Sequence, residues 1–166
     1  MSLGFEQAGF HVVAAIDVSK LNVETHERNF PKTKAIQADL RKLTGFELRK
    51  KAKLGRRRVD VVFGGPPCQG FSTVRQRDGA NSGPRLVEDQ RRYLYQEFLR
   101  YIEFFRPKVF VMENVLGIKS ADGGRYFTRV QHEGRAVGYR VHSQVEKACE
   151  LGVPQKRVRQ LIIGTR

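Results

Sequence analysis

The sequence lacks several features that define large classes of protein. Only two of its 166 residues are cysteines, Cys68 and Cys149, which excludes a disulfide framework, and neither has metal-ligand spacing. No apolar run approaches the roughly 18 residues that a membrane span requires, and no charged-then-apolar leader opens the sequence. We therefore expect an intracellular protein, with enough hydrophobic residues for one domain but not for two.

Acidic residues are also scarce. Seventeen Asp and Glu stand against 31 Lys and Arg, which gives a net charge of +14 and a pI near 10.3. This excess favours a polyanionic partner, because each neutralised phosphate releases condensed counterions. The alternative is that the basic surface only maintains solubility. Nine basic residues fall within residues 41–58, against the single acid Glu47. Such a run is typical of a solvated face and does not by itself identify a binding groove.

Short apolar runs alternate with helical patterns along the chain. The runs cover residues 11–16, 34–38, 59–63, 108–112 and 161–163. They lack strict alternation, as strands buried on both faces do. The helical patterns cover residues 3–8, 19–29, 89–105 and 126–137. This order predicts an α/β fold with a parallel sheet.

Polar or reactive residues follow four of the predicted strands, namely Asp17, Asp39, Cys68 and Glu113. Ligands of such sheets bind outside the carboxyl ends of the strands. An acid at one of these ends suits a ribose diol, which indicates a nucleoside cofactor. The alternative for Asp17 alone is a helix N-cap.

The stretch GGPPCQGFS at residues 64–72 constrains the backbone around Cys68. A structural cysteine needs no such constraint, whereas a nucleophile must be presented at a defined angle. Attack of a thiolate on C6 of a pyrimidine places charge on the ring, and protonation at N3 relieves it. Glu113, at the end of another predicted strand, can supply that acid.

These motifs resemble those of the cytosine-C5 DNA methyltransferases. GGPPCQGFS is similar to their Pro-Cys motif, and MENV at residues 112–115 is similar to their Glu-Asn-Val motif. GVPQKRVR at residues 152–159 resembles their Gln-x-Arg-x-Arg motif, and LGFEQAGF at residues 3–10 resembles the helix after their first glycine-rich motif. The resemblance covers essentially the whole chain. It implies a bacterial protein of the cytoplasm or nucleoid, with a Rossmann-like, mostly parallel S-adenosylmethionine-dependent methyltransferase fold.

The resemblance implies five catalytic residues. Cys68 corresponds to the nucleophile that attacks C6 of a cytosine flipped out of double-stranded DNA. Glu113 corresponds to the residue that donates to N3 and contacts the exocyclic amine, and Asn114 to the one that holds the Cys68 loop. Arg159 is expected to reach the cytosine O2 and the thiolate, whereas Arg157 is expected to support the Glu113 side of the pocket.

The resemblance also implies S-adenosylmethionine as cofactor. By similarity, Asp17 binds its ribose, Asp39 reads its adenine amine and Leu94 forms an apolar wall, while the Pro66 backbone contacts the flipped base. The expected binding set is Asp17, Val18, Asp39, Leu40, Pro66 and Leu94. After Cys68 adds to C6, C5 takes the methyl group, and the C5 proton and Cys68 then leave. Cys149 lacks such a setting, and we predict that it is a buried structural residue.

Two parts of the family pattern have no counterpart in the sequence. The family's first strand with its glycine-rich loop would precede Met1, and its target-recognition region would follow Arg166. Residues 1–166 therefore resemble a partial catalytic domain without a target-recognition domain, and residues 75–85 occupy the position of the loop that closes over DNA. Three explanations are open: a truncated product, a decayed remnant, or one subunit completed by another chain. In each case we expect the chain alone to be inactive.

Three other functions are compatible with part of this pattern. RNA cytosine methyltransferases carry a different tripeptide after their Pro-Cys motif or use a second cysteine in place of Glu113. Thymidylate synthases share the attack on C6 but lack the other two motifs. A non-catalytic DNA-binding module would retain the motifs without binding the cofactor.

Overall fold

The computed structural model of the chain describes residues 1–67 and 94–166. Cys68 and the predicted loop at residues 75–85 lie outside the described residues. The chain divides into two compact units, Met1–Arg58 and Val59–Arg166.

The first unit contains three helices and two strands in the order α1, β1, α2, β2, α3. Their bounds are Ser2–Gln7, Ala14–Asp17, Lys20–Asn29, Lys34–Gln37 and Gly45–Lys51. Strands β1 and β2 pair in parallel, with Asp17 opposite Gln37. Helix α2 begins after its N-cap Ser19, whose Oγ accepts a hydrogen bond from the Asn22 amide. This arrangement places the ends of β1 and β2 side by side.

The helices and strands described for the second unit follow in the order β3, α4, β4, α5, β5, β6. Their bounds are Val61–Gly64, Leu94–Phe105, Val109–Asn114, Arg125–Ala136, Arg140–Lys147 and Val158–Thr165. Short 3-10 turns cover Leu116–Lys119, Ala121–Gly124 and Ala148–Leu151. Among the described strands of this unit, the sheet order is β3-β4-β6-β5.

The α/β class predicted from the sequence is confirmed, but the sheet is less parallel than expected. Strands β3 and β4 pair in parallel, whereas β4 with β6 and β6 with β5 pair antiparallel. The connection between β5 and β6 covers only residues 148–157. A parallel crossover requires about a dozen residues or more, usually with a helix, so this connection favours an antiparallel pair. The sheet is therefore mixed.

The core of the second unit lies between the sheet and α4 and α5. Ile102, Phe110, Met112, Val130 and Ile162 are fully buried in it. The helical spacing that predicted α4 is confirmed, since the same face of that helix buries residues at positions 95, 98, 99 and 102. None of the helices in the described ranges is long and apolar enough to cross a bilayer.

Gly164 leaves room for the ring of Phe110, its partner in the β4–β6 register. A Cβ at Gly164 would overlap three atoms of that ring. We expect Gly164→Ala to lower the free energy of unfolding by about 1–3 kcal/mol, because a buried aromatic ring must move. Urea denaturation followed by circular dichroism measures this. Gly4→Ala is the control, since a Cβ there meets nothing within 4 Å. Equal stability of the two variants would contradict the packing argument.

Two elements and one side chain differ from the sequence-based expectations. The predicted strands and helices did not include α3 or β5. Cys149 is exposed rather than buried, so the prediction of a buried structural residue was wrong. The reason is local, because Cys149 lies in the turn Ala148–Leu151, none of whose residues is buried.

Candidate functional site

Two arginines form ion pairs with the Glu113 carboxylate. Arg159 belongs to the neighbouring strand β6, and Arg157 directly precedes that strand. Glu113 is the penultimate residue of β4, and the antiparallel register places it opposite Leu161 of β6. Arg159 Nε lies 2.6 Å from Glu113 Oε1, and Arg157 Nη2 lies 3.7 Å from the same oxygen. The Glu113 and Arg159 side chains are each about a quarter exposed. The shorter contact is therefore made by Arg159, although Arg157 was the residue expected to support Glu113.

The other carboxylate oxygen of Glu113 faces the chain that leaves β3. A Cβ at Gly65 would lie 3.0 Å from Glu113 Oε2, which is closer than side chains normally approach. A Cβ at Gly64 would likewise lie 3.2 Å from the Phe98 ring. Two consecutive glycines thus let the backbone pass between a packed aromatic ring and a carboxylate.

Asn114 joins the end of β4 to the chain that follows β3. Its side chain is 2% exposed, and its Nδ2 donates to the Pro66 carbonyl over 3.3 Å. Its Oδ1 accepts from the Val115 amide at 2.9 Å, so both polar atoms of the buried amide have partners. The bond to the Pro66 carbonyl fixes the backbone two residues before Cys68 in the sequence.

Gln160 is a buried polar residue that the sequence reasoning missed. It is fully buried beside Arg159 and pairs in register with Asn114 on one side and Val145 on the other. Its Nε2 donates to the carbonyls of Gln144 and Leu161, at 2.9 and 2.8 Å. Its Oε1 has no hydrogen-bond partner among the described atoms. The residue links β5 to the strand that carries Arg159. Its position directly before the apolar run at residues 161–163 was the only sequence signal, and that position does not reveal burial.

Asp17, in the first unit, is the last residue of β1. Its Oδ1 accepts from the Ser19 amide at 2.8 Å, and its Oδ2 accepts from Asn22 Nδ2 at 3.1 Å. The next residue, Val18, exposes 66% of its surface. An exposed apolar side chain therefore lies beside a carboxylate at a strand end. The N-cap of α2 is Ser19, so Asp17 is not the N-cap itself.

Asp39 lies two residues after β2 and binds the side chain of Arg41. Arg41 Nη2 is 2.7 Å from Oδ2, and Arg41 Nε is 3.0 Å from Oδ1. These side-chain hydrogen bonds, and one from the Arg41 amide, lower the pKa of Asp39 to about 2. Leu40, between the two, is partly buried.

We expect Arg41→Gln to raise the pKa of Asp39 from about 2 toward its ordinary value of 3.8. The folded-state pKa is the lower one, so the contribution of this carboxylate to stability is present above pH 3.8 and is lost as pH falls through 2. NMR titration of the Asp39 carboxyl carbon measures the midpoint. Lys42→Gln is the matched control, and an equal shift in both variants would show that charge, not the Arg41 contact, sets the pKa.

The structure thus brings some of the predicted site residues together. Five of them meet in the second unit, where β4 ends and β6 begins, namely Pro66, Glu113, Asn114, Arg157 and Arg159. Leu94 begins α4 in the same unit and is partly buried. Asp17, Val18, Asp39 and Leu40 follow the neighbouring strands of the first unit. Within the described ranges, no group of three or more His, Cys, Asp or Glu could hold a metal ion.

Comparisons with known proteins give a consistent result. The family of C-5 cytosine-specific DNA methylases matches residues 1–166. The chain is 38% identical to the type II methyltransferase M.XorII of Xanthomonas oryzae, covering 100% of this chain and 38% of the relative. It is 37% identical to M1.HphI of Haemophilus parahaemolyticus, covering 98% and 42%. It is 34% identical to M.AquIA of Picosynechococcus, covering 100% and 67%. The chain thus spans about two fifths of the first two relatives.

Solved structures agree with the sequence comparison. A candidate DNA modification methyltransferase encoded within an E. coli prophage superposes with a TM-score of 0.82 at 30% identity, over 99% of this chain and 43% of that one. The S. pombe Dnmt2 methyltransferase superposes with a TM-score of 0.69 at 19% identity, over 99% and 45%. The second likeness concerns the fold alone.

Proposed function

Because this chain belongs to the family of C-5 cytosine-specific DNA methylases, we propose that it forms part of an enzyme that methylates C5 of cytosine in double-stranded DNA. The observation that carries the proposal is the cluster at the end of β4. There, Arg159 holds the Glu113 carboxylate at 2.6 Å, and Asn114 holds the Pro66 carbonyl at 3.3 Å. An acid and the backbone leading to Cys68 are thereby fixed side by side.

Glu113 is the group that we assign to the pyrimidine ring. Both ion pairs go to its Oε1, which orients the carboxyl group, while Oε2 faces the narrow space beside Gly65. In the proposed reaction this carboxyl group accepts a hydrogen bond from the exocyclic amine of a flipped cytosine and delivers a proton to N3. Protonation relieves the charge that enters the ring when a nucleophile adds to C6.

Arg159 and Arg157 have a second effect in this proposal. Their guanidinium groups keep positive charge beside the ring, and Arg159 retains further donors after its contact with Glu113. Preorganised donors of this kind stabilise charge that develops during a reaction. We therefore assign Arg159 both to the cytosine O2 and to the support of Glu113, to which Arg157 adds a longer contact.

Cys68 is the proposed nucleophile, and Asn114 is a positioning residue for it. The buried Asn114 amide anchors the Pro66 carbonyl, and Pro67 then restricts the backbone that leads to Cys68. The sulfur adds to C6 as N3 takes the proton of Glu113, C5 becomes nucleophilic and accepts the methyl group, loss of the C5 proton expels the sulfur, and N3 returns its proton to Glu113. The C5 proton passes to solvent or base, and Cys68 is regenerated.

The residues after β1 and β2 fit the expected cofactor. Each oxygen of Asp17 accepts one hydrogen bond, while a carboxylate offers about four acceptor sites in all, so acceptors remain for a ribose diol. The exposed Val18 offers apolar contact to a purine ring, and Asp39 offers a charged acceptor to an amine. When bound, S-adenosylmethionine would supply the methyl group. Leu40 completes the proposed set in the first unit, and the assignment of Leu94, in the second unit, to the cofactor stays a prediction from the family motifs.

The test is methyl transfer with radiolabelled S-adenosylmethionine by the protein that carries this chain. Duplex DNA should accept the label, and digestion to nucleosides should recover it as 5-methyl-2′-deoxycytidine. A duplex whose cytosines are already 5-methylated is the control and should accept none. Label recovered from RNA alone would assign the chain to RNA methylation. Absence of label in both, despite duplex binding, would favour a non-catalytic module.

A further inference from the structure

The basic run of the first unit is part of an ordered, amphipathic structure, here named the basic platform (residues 41–58). Helix α3 opens with a reciprocal capping box between Thr44 and Glu47. On the inner side, four apolar side chains are buried, namely Leu43, Leu48, Ala52 and Leu54. A run that was only a solvated, irregular segment would not bury an apolar face of this kind.

Two arginines of the platform donate hydrogen bonds to backbone carbonyls within it. Arg49 Nη1 donates to the carbonyls of Gly55 and Arg57, at 2.9 and 3.0 Å. Arg57 Nη2 donates in turn to the Lys53 carbonyl at 2.9 Å. The backbone reverses through left-handed conformations at Lys53 and Gly55, with φ of 51° and 55°. These bonds bring the last turn of α3 next to residues 55–57.

The remaining cations of the platform make no close contact with an acid in the described ranges, and only Lys42 and Lys51 act on one through charge, lowering the pKa of Asp39 and of Glu47 respectively. All are exposed, and none forms an ion pair within the parts of the chain that the structure describes. They are Lys42, Lys50, Lys51, Lys53, Arg56 and Arg58. Interaction with the α3 dipole would account for basic residues in its last turn, such as Lys50 and Lys51, but not for those at positions 56 and 58. The one acid, Glu47, is occupied by the capping box.

We propose that the basic platform is a second contact surface for double-stranded DNA, binding backbone phosphates without reading sequence. A rigid backbone that presents several unpaired cations loses little order on binding a polyanion, and phosphate contacts are the sequence-independent component of DNA affinity. The choice of DNA as the polyanion rests on the proposed function. The surface itself does not include Glu113, Arg159 or any other residue assigned to catalysis.

The test compares two triple variants of the full chain. Lys50→Gln, Lys51→Gln and Arg56→Gln alter the platform. The control consists of Arg28→Gln, Lys32→Gln and Lys34→Gln. These changes also remove two lysines and one arginine, but from other exposed positions of the same unit. The control also includes a basic residue in the last turn of a helix, Arg28 in α2.

Fluorescence anisotropy with a random-sequence duplex, measured over a series of salt concentrations, is the readout. The platform variant should bind about tenfold or more weakly at roughly 0.1 M salt, and its log–log salt slope should fall by about 2–3. The control should change the slope by less than about 1. Equal losses in both variants would show that only net charge matters and would overturn the proposal. Stronger binding of anionic lipid vesicles than of DNA through the same three residues would also overturn it.

A second measurement uses the unmodified chain and does not depend on a variant that folds. Acetylation of lysines, followed by mass spectrometry, should show that duplex DNA protects Lys50, Lys51 and Lys53 severalfold more than Lys32 and Lys34. Equal modification of the two groups would overturn the proposal. Both measurements record DNA binding alone. If DNA protects these lysines but the protein transfers no methyl group, the proposed function is refuted and the proposal for the basic platform stands.

Discussion

Replacing Cys68 with serine should lower methyl transfer to duplex DNA by roughly 10⁴-fold or more, as removal of a covalent nucleophile does elsewhere. Serine keeps the size of the side chain and the Pro66–Pro67 backbone, so the variant should fold and bind duplex DNA like the parent protein. It loses only the thiolate, which a hydroxyl without an adjacent base cannot replace. Labelled methyl transfer and duplex anisotropy, measured on the same preparation, separate the two effects.

Cys149→Ser is the matched control for this prediction. Cys149 is exposed, and it lies in the turn that precedes the Arg157–Arg159 segment. The same chemical change there should leave methyl transfer within about twofold, because surface substitutions rarely alter stability by more than about 0.5 kcal/mol. A large loss in Cys149→Ser, or substantial activity in Cys68→Ser, would show that the nucleophile is misassigned.

Glu113→Gln should lower methyl transfer by about 10²- to 10⁴-fold, the usual contribution of a positioned general acid. Glutamine keeps the shape of the side chain and an oxygen for Arg159, but it cannot deliver a proton to N3. The ion pair with Arg159 is also weakened. Because both side chains are about a quarter exposed, the cost in stability should be only about 1 kcal/mol or less. The loss should therefore appear in the rate of methyl transfer and not in folding.

Glu150→Gln provides the control for Glu113→Gln. Glu150 also forms an ion pair, with Lys147 at 2.7 Å, but its side chain is 63% exposed and belongs to no predicted site. Single-turnover rates and thermal unfolding of the two variants should be compared. If Glu113→Gln methylated as fast as Glu150→Gln, the acid assigned to N3 would have to be another residue.

Local sequence patterns predicted most of the fold, and where they failed the cause is physical. Strand β4 was predicted from its continuous apolar run, and helix α4 from apolar residues at helical spacing. Strand β5 was missed because only Val141 of its eight residues is buried, so it carries no apolar run. Helix α3 was missed because its basic residues were interpreted as a solvated face, although the Thr44–Glu47 spacing is a capping-box signal.

The site residues, and the parts that Asn114 and Arg157 take in holding the site, were predicted from motifs, but the strand register and the distances behind the contacts were not. The approach of Arg159 to Glu113 depends on the antiparallel register of β4 and β6, which no local spacing encodes. The Asn114–Pro66 bond likewise joins residues that are 48 positions apart. Gln160 was overlooked because a buried amide is recognised only when its strand partners are known. The roles of Cys68 and of the cofactor residues stay predictions.

The most direct test of the account is the position of a covalent adduct. The protein should be incubated with S-adenosylmethionine and a duplex in which 5-fluorocytosine replaces cytosine, because fluorine at C5 cannot leave as a proton does and should trap the sulfur on C6. Proteolysis and mass spectrometry then identify the modified peptide. We expect one denaturant-resistant adduct, on Cys68, that is absent in Cys68→Ser. An adduct on Cys149, or undiminished trapping in Cys68→Ser, would contradict it.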